Sequence, residues 1–221
     1  MATAQVTFTK RELLENSDGQ TPFILFGVSW DDYEKISDEF GESNPFHITF
    51  NKGILTIMPV TKIHELLASL LHDFIRSAGL FLKLNVIASG KATMRSQKKE
   101  IGCEPDASYY IQKANRFKAL DFVPNELDLP PDIVVEIDVH HPSNDKFAIY
   151  AEFGVPEFWQ YDGERVKIFK LQESGEYGEI ERSEQLPILT SEMLTEFLRR
   201  GLKEEQFAVL TDFQKQLQEN E

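Results

Sequence analysis

The sequence is poor in cysteine and in long hydrophobic runs. Its 221 residues include one cysteine, Cys103, which excludes an intrachain disulfide framework and a zinc site built from several thiolates. No apolar run approaches the roughly 18 residues that a membrane helix needs. Residues 1–20 also lack the long apolar stretch of a signal peptide. These features predict a cytoplasmic protein with no membrane partner.

Positive charge is scarce as well, and the deficit is uneven along the chain. A net charge of −14 is unusual for a protein that binds nucleic acid. Residues 1–50 and 171–221 contribute −6 and −7 of it, whereas residues 51–170 contribute only −1. Residues 83–99 contain five basic side chains and no acidic one. This run is either a contact surface for phosphates or a pair of strands whose edges are protected by lysine.

The length and the ordinary hydrophobic content of 41% predict one folded domain over residues 1–221. Periodicity and turn signals predict an α/β or α+β protein, with helices mixed among strands. Helices are predicted at about 30–40, 62–77, 144–153, 191–199 and 203–218, and strands at about 46–50, 54–58, 81–88, 92–96, 107–111, 133–139, 157–161 and 164–169.

The predicted strand at 133–139 is mostly β-branched and apolar, as in a strand buried on both faces. It nevertheless contains Glu136 and Asp138, which are two residues apart and therefore point to the same face. Burying two carboxylates together is costly unless a cation compensates them. Asp106, after a proline, and Glu65, in the first turn of the long helix, offer further carboxylates. Oxygen ligands of this kind favour Mg²⁺, Mn²⁺ or Ca²⁺ over zinc.

Each of these carboxylates also has a purely structural interpretation. Aspartate after proline is common in turns, which would explain Asp106. The helix dipole favours Glu65 in a first turn, and Asp138 fits a solvated strand end. Glu136 is the hardest to explain in this way, because apolar residues flank it on both sides. Tyr150 and Trp159 are interpreted as core aromatics.

Several segments together resemble a known nuclease family. Pro105-Asp106 followed 30 residues later by Glu136-Ile137-Asp138 resembles the PD-(D/E)XK nuclease motif. The surrounding segments are similar to the bacterial Uma-type family of restriction-endonuclease-like proteins. They read Pro131-Asp132-Ile133-Val134-Val135-Glu136-Ile137, His141-Pro142-Ser143, Lys146-Phe147-Ala148-Ile149-Tyr150 and Gly154-Val155-Pro156-Glu157-Phe158-Trp159. The resemblance covers about 28–170, which would be the nuclease core, with an acidic helical extension at about 190–221.

The resemblance implies a restriction-endonuclease-like mixed β-sheet flanked by helices. It also implies that Asp106 and Glu136 bind Mg²⁺ or Mn²⁺ together with the backbone carbonyl of Ile137. Glu65 matches the helix acid of many such enzymes and would complete the shell directly or through water. Asp138 and His64 are possible additional site residues.

One departure from the motif concerns the catalytic lysine. Asp138 stands where the motif has lysine, and a carboxylate cannot offset the negative charge of a phosphoryl transition state. In the family a lysine on the following helix replaces it, and Lys146 fits that position. A surface lysine paired with a neighbouring acid is the alternative interpretation. The adjacent His140 and His141 are either metal ligands or ordinary loop residues.

The resulting hypothesis is a metal-dependent endonuclease that hydrolyses DNA as a homodimer. Asp106, Glu136, Lys146 and Glu65 would be its catalytic residues, and Lys91, Arg95 and Lys98 would contact backbone phosphates. The alternative is a nuclease-fold protein that has lost catalysis and has a binding or regulatory role. Asp138 at the lysine position and the net charge favour that alternative.

Overall fold

The computed structural model describes residues 12–13, 15, 17, 21–41, 45–116, 129–139 and 144–219. The helices are α1 (Trp30–Phe40), α2 (Lys62–Phe81), α3 (Asn144–Phe153), α4 (Ser191–Gly201) and α5 (Gln206–Glu219). The strands are β1 (Phe23–Phe26), β2 (Phe46–Asn51), β3 (Ile54–Pro59), β4 (Ile87–Ala88), β5 (Met94–Ser96), β6 (Ile101–Cys103), β7 (Ala107–Tyr110), β8 (Ile133–Ile137), β9 (Glu157–Tyr161), β10 (Val166–Leu171) and β11 (Tyr177–Ile180).

These elements belong to two compact units. The first unit consists of Met1–Lys62, Lys91–Pro105 and Val123–Asp128, and the second of Ile63–Gly90, Asp106–Phe122 and Leu129–Glu221. The organisation as one domain over 1–221, with its core and extension, stays a prediction.

The first unit contains a five-stranded antiparallel sheet in the order β1-β3-β2-β6-β5. The predicted hairpin over 46–58 is confirmed as β2 and β3. Helix α1 begins as predicted, because the side chain of Ser29 accepts a hydrogen bond from the Asp32 amide at 3.2 Å. Tyr33 of this helix stacks on Phe50 of β2 with 4.8 Å between ring centroids. Aromatic packing thus attaches the helix to the sheet.

The second unit contains a six-stranded sheet in the order β11-β10-β9-β8-β7-β4. Strands β8 and β9 are parallel, and the other neighbours are antiparallel. A parallel pair requires a crossover connection, and α3 supplies it between β8 and β9. The mixed sheet with flanking helices confirms the fold class expected from the sequence.

The two faces of this sheet carry different side chains. One face buries alternate residues of β7 to β10 against α2, α4 and α5, including Val135, Trp159, Phe74, Leu194 and Phe213. The acidic C-terminal helices therefore contribute to the core of this unit. The opposite face is covered by α3, where Phe147 packs on Phe158 with 4.6 Å between ring centroids. We call this side the α3 face. Among the helices in the described ranges, none is both long enough and apolar enough to cross a membrane.

The predicted strand over 81–88 is wrong for most of its length. Helix α2 continues to Phe81, and only Ile87–Ala88 pair with β7. The chain then turns back on the helix, since Leu84 donates its amide to the Gly79 carbonyl at 2.9 Å. A Cβ at Gly79 would lie 2.3 Å from a methyl group of Val86. Gly79 therefore allows this close return of the chain, and the helix continues past it to Phe81.

The Gly154-Val155-Pro156-Glu157 segment has a structural role in this unit. Gly154 ends α3 with a positive φ of 75°, which glycine adopts without strain. The buried carboxylate of Glu157 accepts hydrogen bonds from Trp159 Nε1 at 2.8 Å, from the Ser183 hydroxyl at 2.8 Å, and from two backbone amides. The bond from Trp159 lies within β9, and the other three connect β9 to the chain around 183–185.

Replacing Glu157 should therefore destabilise the protein without acting on the functional site. Glu157→Ala leaves several buried donors without their acceptor, which we expect to lower the free energy of unfolding by about 3 kcal/mol. Urea unfolding followed by circular dichroism measures this. The exposed Glu173→Ala is the control and should change stability by less than about 0.5 kcal/mol. Equal stability of the two variants would contradict the role assigned to Glu157.

Candidate active site

Three polar side chains lie in a row across the α3 face. The register pairs Ala107 with Val135, and its continuation by one residue places Asp106 opposite Glu136. On the other side, Glu136 is paired with Gln160 of β9. Opposite residues of neighbouring strands point to the same face. The sheet thus brings together residues that are far apart in sequence.

Glu136 lies at the centre of this row and is almost completely buried, with 1% of its side chain exposed. Two residues of α3 contact its carboxylate. Lys146 Nζ lies 2.6 Å from Oε2, and the hydroxyl of Tyr150 donates to Oε1. The two residues are four apart on the helix and so share one of its faces. Both carboxylate oxygens of Glu136 therefore have a donor from the same helix.

The two neighbouring carboxylates are held by other groups. Asp106 is buried, and its Oδ2 accepts a hydrogen bond from the backbone amide of Ile137 at 2.7 Å. Asp138 lies just beyond the end of β8, where its Oδ2 accepts from Gln160 Nε2 at 2.6 Å. We call Asp106, Glu136, Asp138 and Lys146 the Glu136 cluster.

The surroundings of Glu136 and Lys146 shift the pKa of both groups. Burial raises the pKa of Glu136 to about 8, and the negative charges of Asp106 and Asp138 raise it as well, while Lys146 lowers it. Burial by itself would lower the pKa of Lys146, but the three carboxylates raise it above its usual value. Lys146 is thus held protonated in an acidic environment.

The donor chemistry of this cluster suits a hard divalent cation, because it consists of carboxylate oxygens. The positions of these oxygens do not form a complete metal site in the described residues. Among the residues that the structure describes, no group of three or more His, Cys, Asp or Glu side chains is placed to hold a metal ion. At Glu136, both carboxylate oxygens bind protein donors, Lys146 and Tyr150.

The other predicted site residues of this unit lie on different elements. Glu65 is exposed in the first turn of α2, and the preceding His64 is half-buried. The amide of Ile137 is used by Asp106, while the role of its carbonyl as a ligand stays a prediction. His140 and His141 lie outside the described residues.

The predicted phosphate contacts belong to the first unit and differ in character. Lys98 is exposed on the short 3₁₀ turn Gln97–Lys99, and Lys91 is half-buried. Arg95 is engaged within its own unit, where it binds Asp38 at 3.1 Å and the Ser37 hydroxyl at 2.6 Å. A phosphate contact by Arg95 would have to replace these bonds.

Two residues at the site were missed from the sequence. The prediction of Tyr150 as a core aromatic holds for its ring, which is buried against Phe158, but its hydroxyl binds Glu136. The spacing of four from Lys146 was the available signal. Gln160 orients Asp138, and its signal was a polar residue at a sheet position that shares a face with Glu136.

Comparison with known proteins places the chain in a family. A family model described as "Uma2: Putative restriction endonuclease" matches residues 30–202, which is most of the chain. The chain belongs to the Uma2 family. This membership confirms the resemblance inferred from the short motifs. No curated protein matches the sequence.

A solved structure supports the fold. It is titled "Crystal structure of a putative nuclease belonging to DUF820" and comes from Anabaena variabilis. The similarity covers 77% of this chain and 99% of the other, with a TM-score of 0.56 and 16% sequence identity. Membership of the Uma2 family and this shared fold together support a nuclease function in general terms.

The raised pKa of Glu136 makes a prediction about stability. A carboxyl group with a higher pKa in the folded than in the unfolded state binds more protons when folded. Its contribution to stability therefore decreases as the pH rises from its ordinary value of 4.5 to about 8. We expect Glu136→Gln to remove this part of the pH dependence, at most roughly 1.4 kcal/mol per pH unit.

Urea unfolding at several pH values between 5 and 8, in buffer with a metal chelator, measures the effect. Glu173→Gln, at an exposed position, should retain the slope of the original protein. A Glu136→Gln variant with that same slope would show that Glu136 is ionised over the whole range.

Proposed function

We propose that this protein is a metal-dependent endonuclease that hydrolyses phosphodiester bonds in DNA. The observation that carries the proposal is the half-buried lysine of α3, which binds Glu136 beside two further carboxylates on one sheet face. A structural ion pair needs one acid for one base. Here two further carboxylates, Asp106 and Asp138, lie close enough to raise the pKa of Glu136.

The charge of the Glu136 cluster supports a divalent cation as the missing partner. The raised pKa of Glu136 keeps it largely protonated near neutral pH while no cation is bound. With Glu136 ionised, as a cation ligand must be, three negative charges and one positive charge would leave a net charge of −2. Buried charge without compensation is strongly unfavourable. Mg²⁺ or Mn²⁺ would neutralise this excess with the oxygen ligands that these ions prefer.

Asp106 and Glu136 are the residues that would hold the cation, with the carbonyl of Ile137 as a further ligand. Asp106 is already oriented by the amide of Ile137, and Glu136 by the hydroxyl of Tyr150. When bound, such a cation polarises the scissile phosphate and lowers the pKa of a water molecule. Glu65 would complete the shell and His64 would support it, as the resemblance implies.

Lys146 would act on the phosphate itself. In hydrolysis the water oxygen bonds to phosphorus, the bond from phosphorus to the leaving oxygen breaks, and the leaving oxygen gains a proton. Negative charge grows on the phosphate oxygens during this step, and a positioned ammonium group stabilises it. Lys146 replaces in this role the lysine that the motif has at the position of Asp138.

DNA is the proposed substrate, and a homodimer is the proposed active form because enzymes of the resembled superfamily usually pair two sites to cut a duplex. Exposed basic side chains such as Lys98 would contact backbone phosphates, together with Lys91. The strongly negative net charge implies that such contacts are local and sensitive to salt.

A second function is favoured by one observation. Both oxygens of Glu136 are occupied by side-chain donors, as expected of a site that has become structural. A nuclease-like protein of this kind would bind nucleic acid or a regulatory partner without cutting. Catalytic activity distinguishes the two candidates.

Nicking of supercoiled plasmid DNA in Mg²⁺ or Mn²⁺ tests the proposal. We expect cleavage that a chelator abolishes and that Asp106→Asn or Glu136→Gln each lowers at least about 100-fold, since each removes a charged ligand of the cation. Glu173→Gln is the matched control at an exposed position and should cut normally.

The outcome decides between the two candidates. Cleavage that survives both Asp106→Asn and Glu136→Gln would place the activity elsewhere. Absence of cleavage in a preparation that binds DNA would favour the inactive alternative.

A further inference from the structure

The two donors on Glu136 differ in how firmly they are held. Tyr150 is completely buried, and its ring packs against Phe158 with 5.5 Å between centroids. Lys146 is the third residue of α3 and keeps 15% of its side chain exposed. One donor belongs to the packed interior of the unit, and the other reaches Glu136 from its edge.

This difference determines which donor can leave. The hydroxyl of Tyr150 is attached to a rigid ring, so it can move away from Oε1 only if the ring unpacks. The ammonium group of Lys146 lies at the end of a flexible four-carbon chain. Rotation about its side-chain bonds frees Oε2 without moving the helix.

We infer that Lys146 is a built-in counter-ion that competes with a divalent cation for Oε2 of Glu136, while Tyr150 keeps Oε1 in place. The inference rests on the proposed function, because it assumes that Glu136 is a cation ligand. It accounts for a carboxylate whose chemistry suits a cation but whose two oxygens are bound by side-chain donors of α3.

Competition at Oε2 couples the state of the lysine to the state of the site. While Lys146 binds Glu136, its ammonium group is not available to a phosphate. Once Oε2 binds a cation instead, the ammonium group of Lys146 is released close to the bound cation. The lysine thus becomes available to substrate only in the loaded protein, which prevents a substrate from being engaged without its cation.

Binding of the lysine and binding of the cation weaken each other, because the free energy of the ion pair between Lys146 and Glu136 is lost when the cation binds. Lys146→Met should therefore bind Mn²⁺ more tightly than the original protein, by roughly tenfold. Tyr150→Phe should bind it more weakly, also by roughly tenfold, because Glu136 loses the hydrogen bond that orients it.

Isothermal titration of the full chain with Mn²⁺ in the absence of DNA measures these affinities. Lys170→Met is the matched control, since Lys170 also forms an ion pair of 2.6 Å, with Glu184, but at an exposed position. Tyr161→Phe is the control for Tyr150→Phe, because Tyr161 is also a buried residue and its hydroxyl binds the Gly163 carbonyl. Both controls should bind Mn²⁺ as the original protein does.

A spectroscopic measurement follows the lysine directly. In ¹⁵N-lysine spectra without cations, one ammonium signal should be protected from exchange with water and should disappear in Lys146→Met. Addition of Mg²⁺ to the original protein should remove that protection. Thermal unfolding without cations shows whether each variant is folded before it is titrated.

The outcomes separate this inference from the proposed function. Equal or weaker Mn²⁺ binding by a folded Lys146→Met, or protection that persists in Mg²⁺, would overturn competition and leave the metal site intact. Unchanged binding by Tyr150→Phe would overturn the role of Tyr150. If neither the original protein nor Lys146→Met binds a cation, the proposed metal site itself is wrong, and this inference is wrong with it.

Discussion

The burial of one carboxylate, Glu136, is the constraint on which the functional part of the structure depends. A charged group in the middle of a sheet must find partners where the strand passes, because water does not reach it. The helix that directly follows β8 supplies these partners. A parallel pair of strands needs a crossover helix on one face of the sheet, and that helix delivers Lys146 and Tyr150 to Glu136. The helix that the strand topology requires is therefore also the helix that compensates the charge of Glu136.

Three buried carboxylates in the second unit show two different ways of being satisfied. Asp132 accepts from the backbone amides of Ile111 and Lys113, at 2.7 and 3.1 Å. Glu157 likewise accepts from backbone amides, and both residues thereby connect segments of the chain. Glu136 is contacted instead by the ends of two side chains. Lys113 Nζ also lies 3.3 Å from Asp132 Oδ1, but the backbone amides on Asp132 and Glu157 hold those carboxylates in place. Both donors on Glu136 are the ends of side chains, and one of them is a flexible lysine, which makes Glu136 the carboxylate suited to exchange partners.

The basic run at 83–99 illustrates why charge alone is a weak guide to binding. Lys98 is exposed, but the guanidinium group of Arg95 binds Asp38 and lies 5.7 Å from the ring centroid of Tyr33. Within one short segment, basic side chains thus serve both packing and solvent-facing roles. Only the exposed members are ready contacts for phosphates, in a chain whose net charge is otherwise unfavourable to such contacts.

The sequence by itself determined the local features of this protein. Helices α1 and α3 begin and end as predicted because capping residues and apolar spacing depend only on near neighbours. Glu136 and Asp138 share a face because side chains alternate along any strand. The motifs also led correctly to the Uma2 family, although its similarity to a solved structure is only 16% identity.

Only the tertiary structure decided how distant residues meet. Asp106 lies opposite Glu136, 30 residues further along the chain, because of the register of β7 and β8, which no local pattern specifies. The contact of Tyr150 with Glu136 depends on how α3 lies on the sheet, and the end of α2 depends on the packing of Val86 against Gly79. Long-range strand pairing and side-chain rotamers are properties of the packed unit, and they determine which donors reach each buried carboxylate.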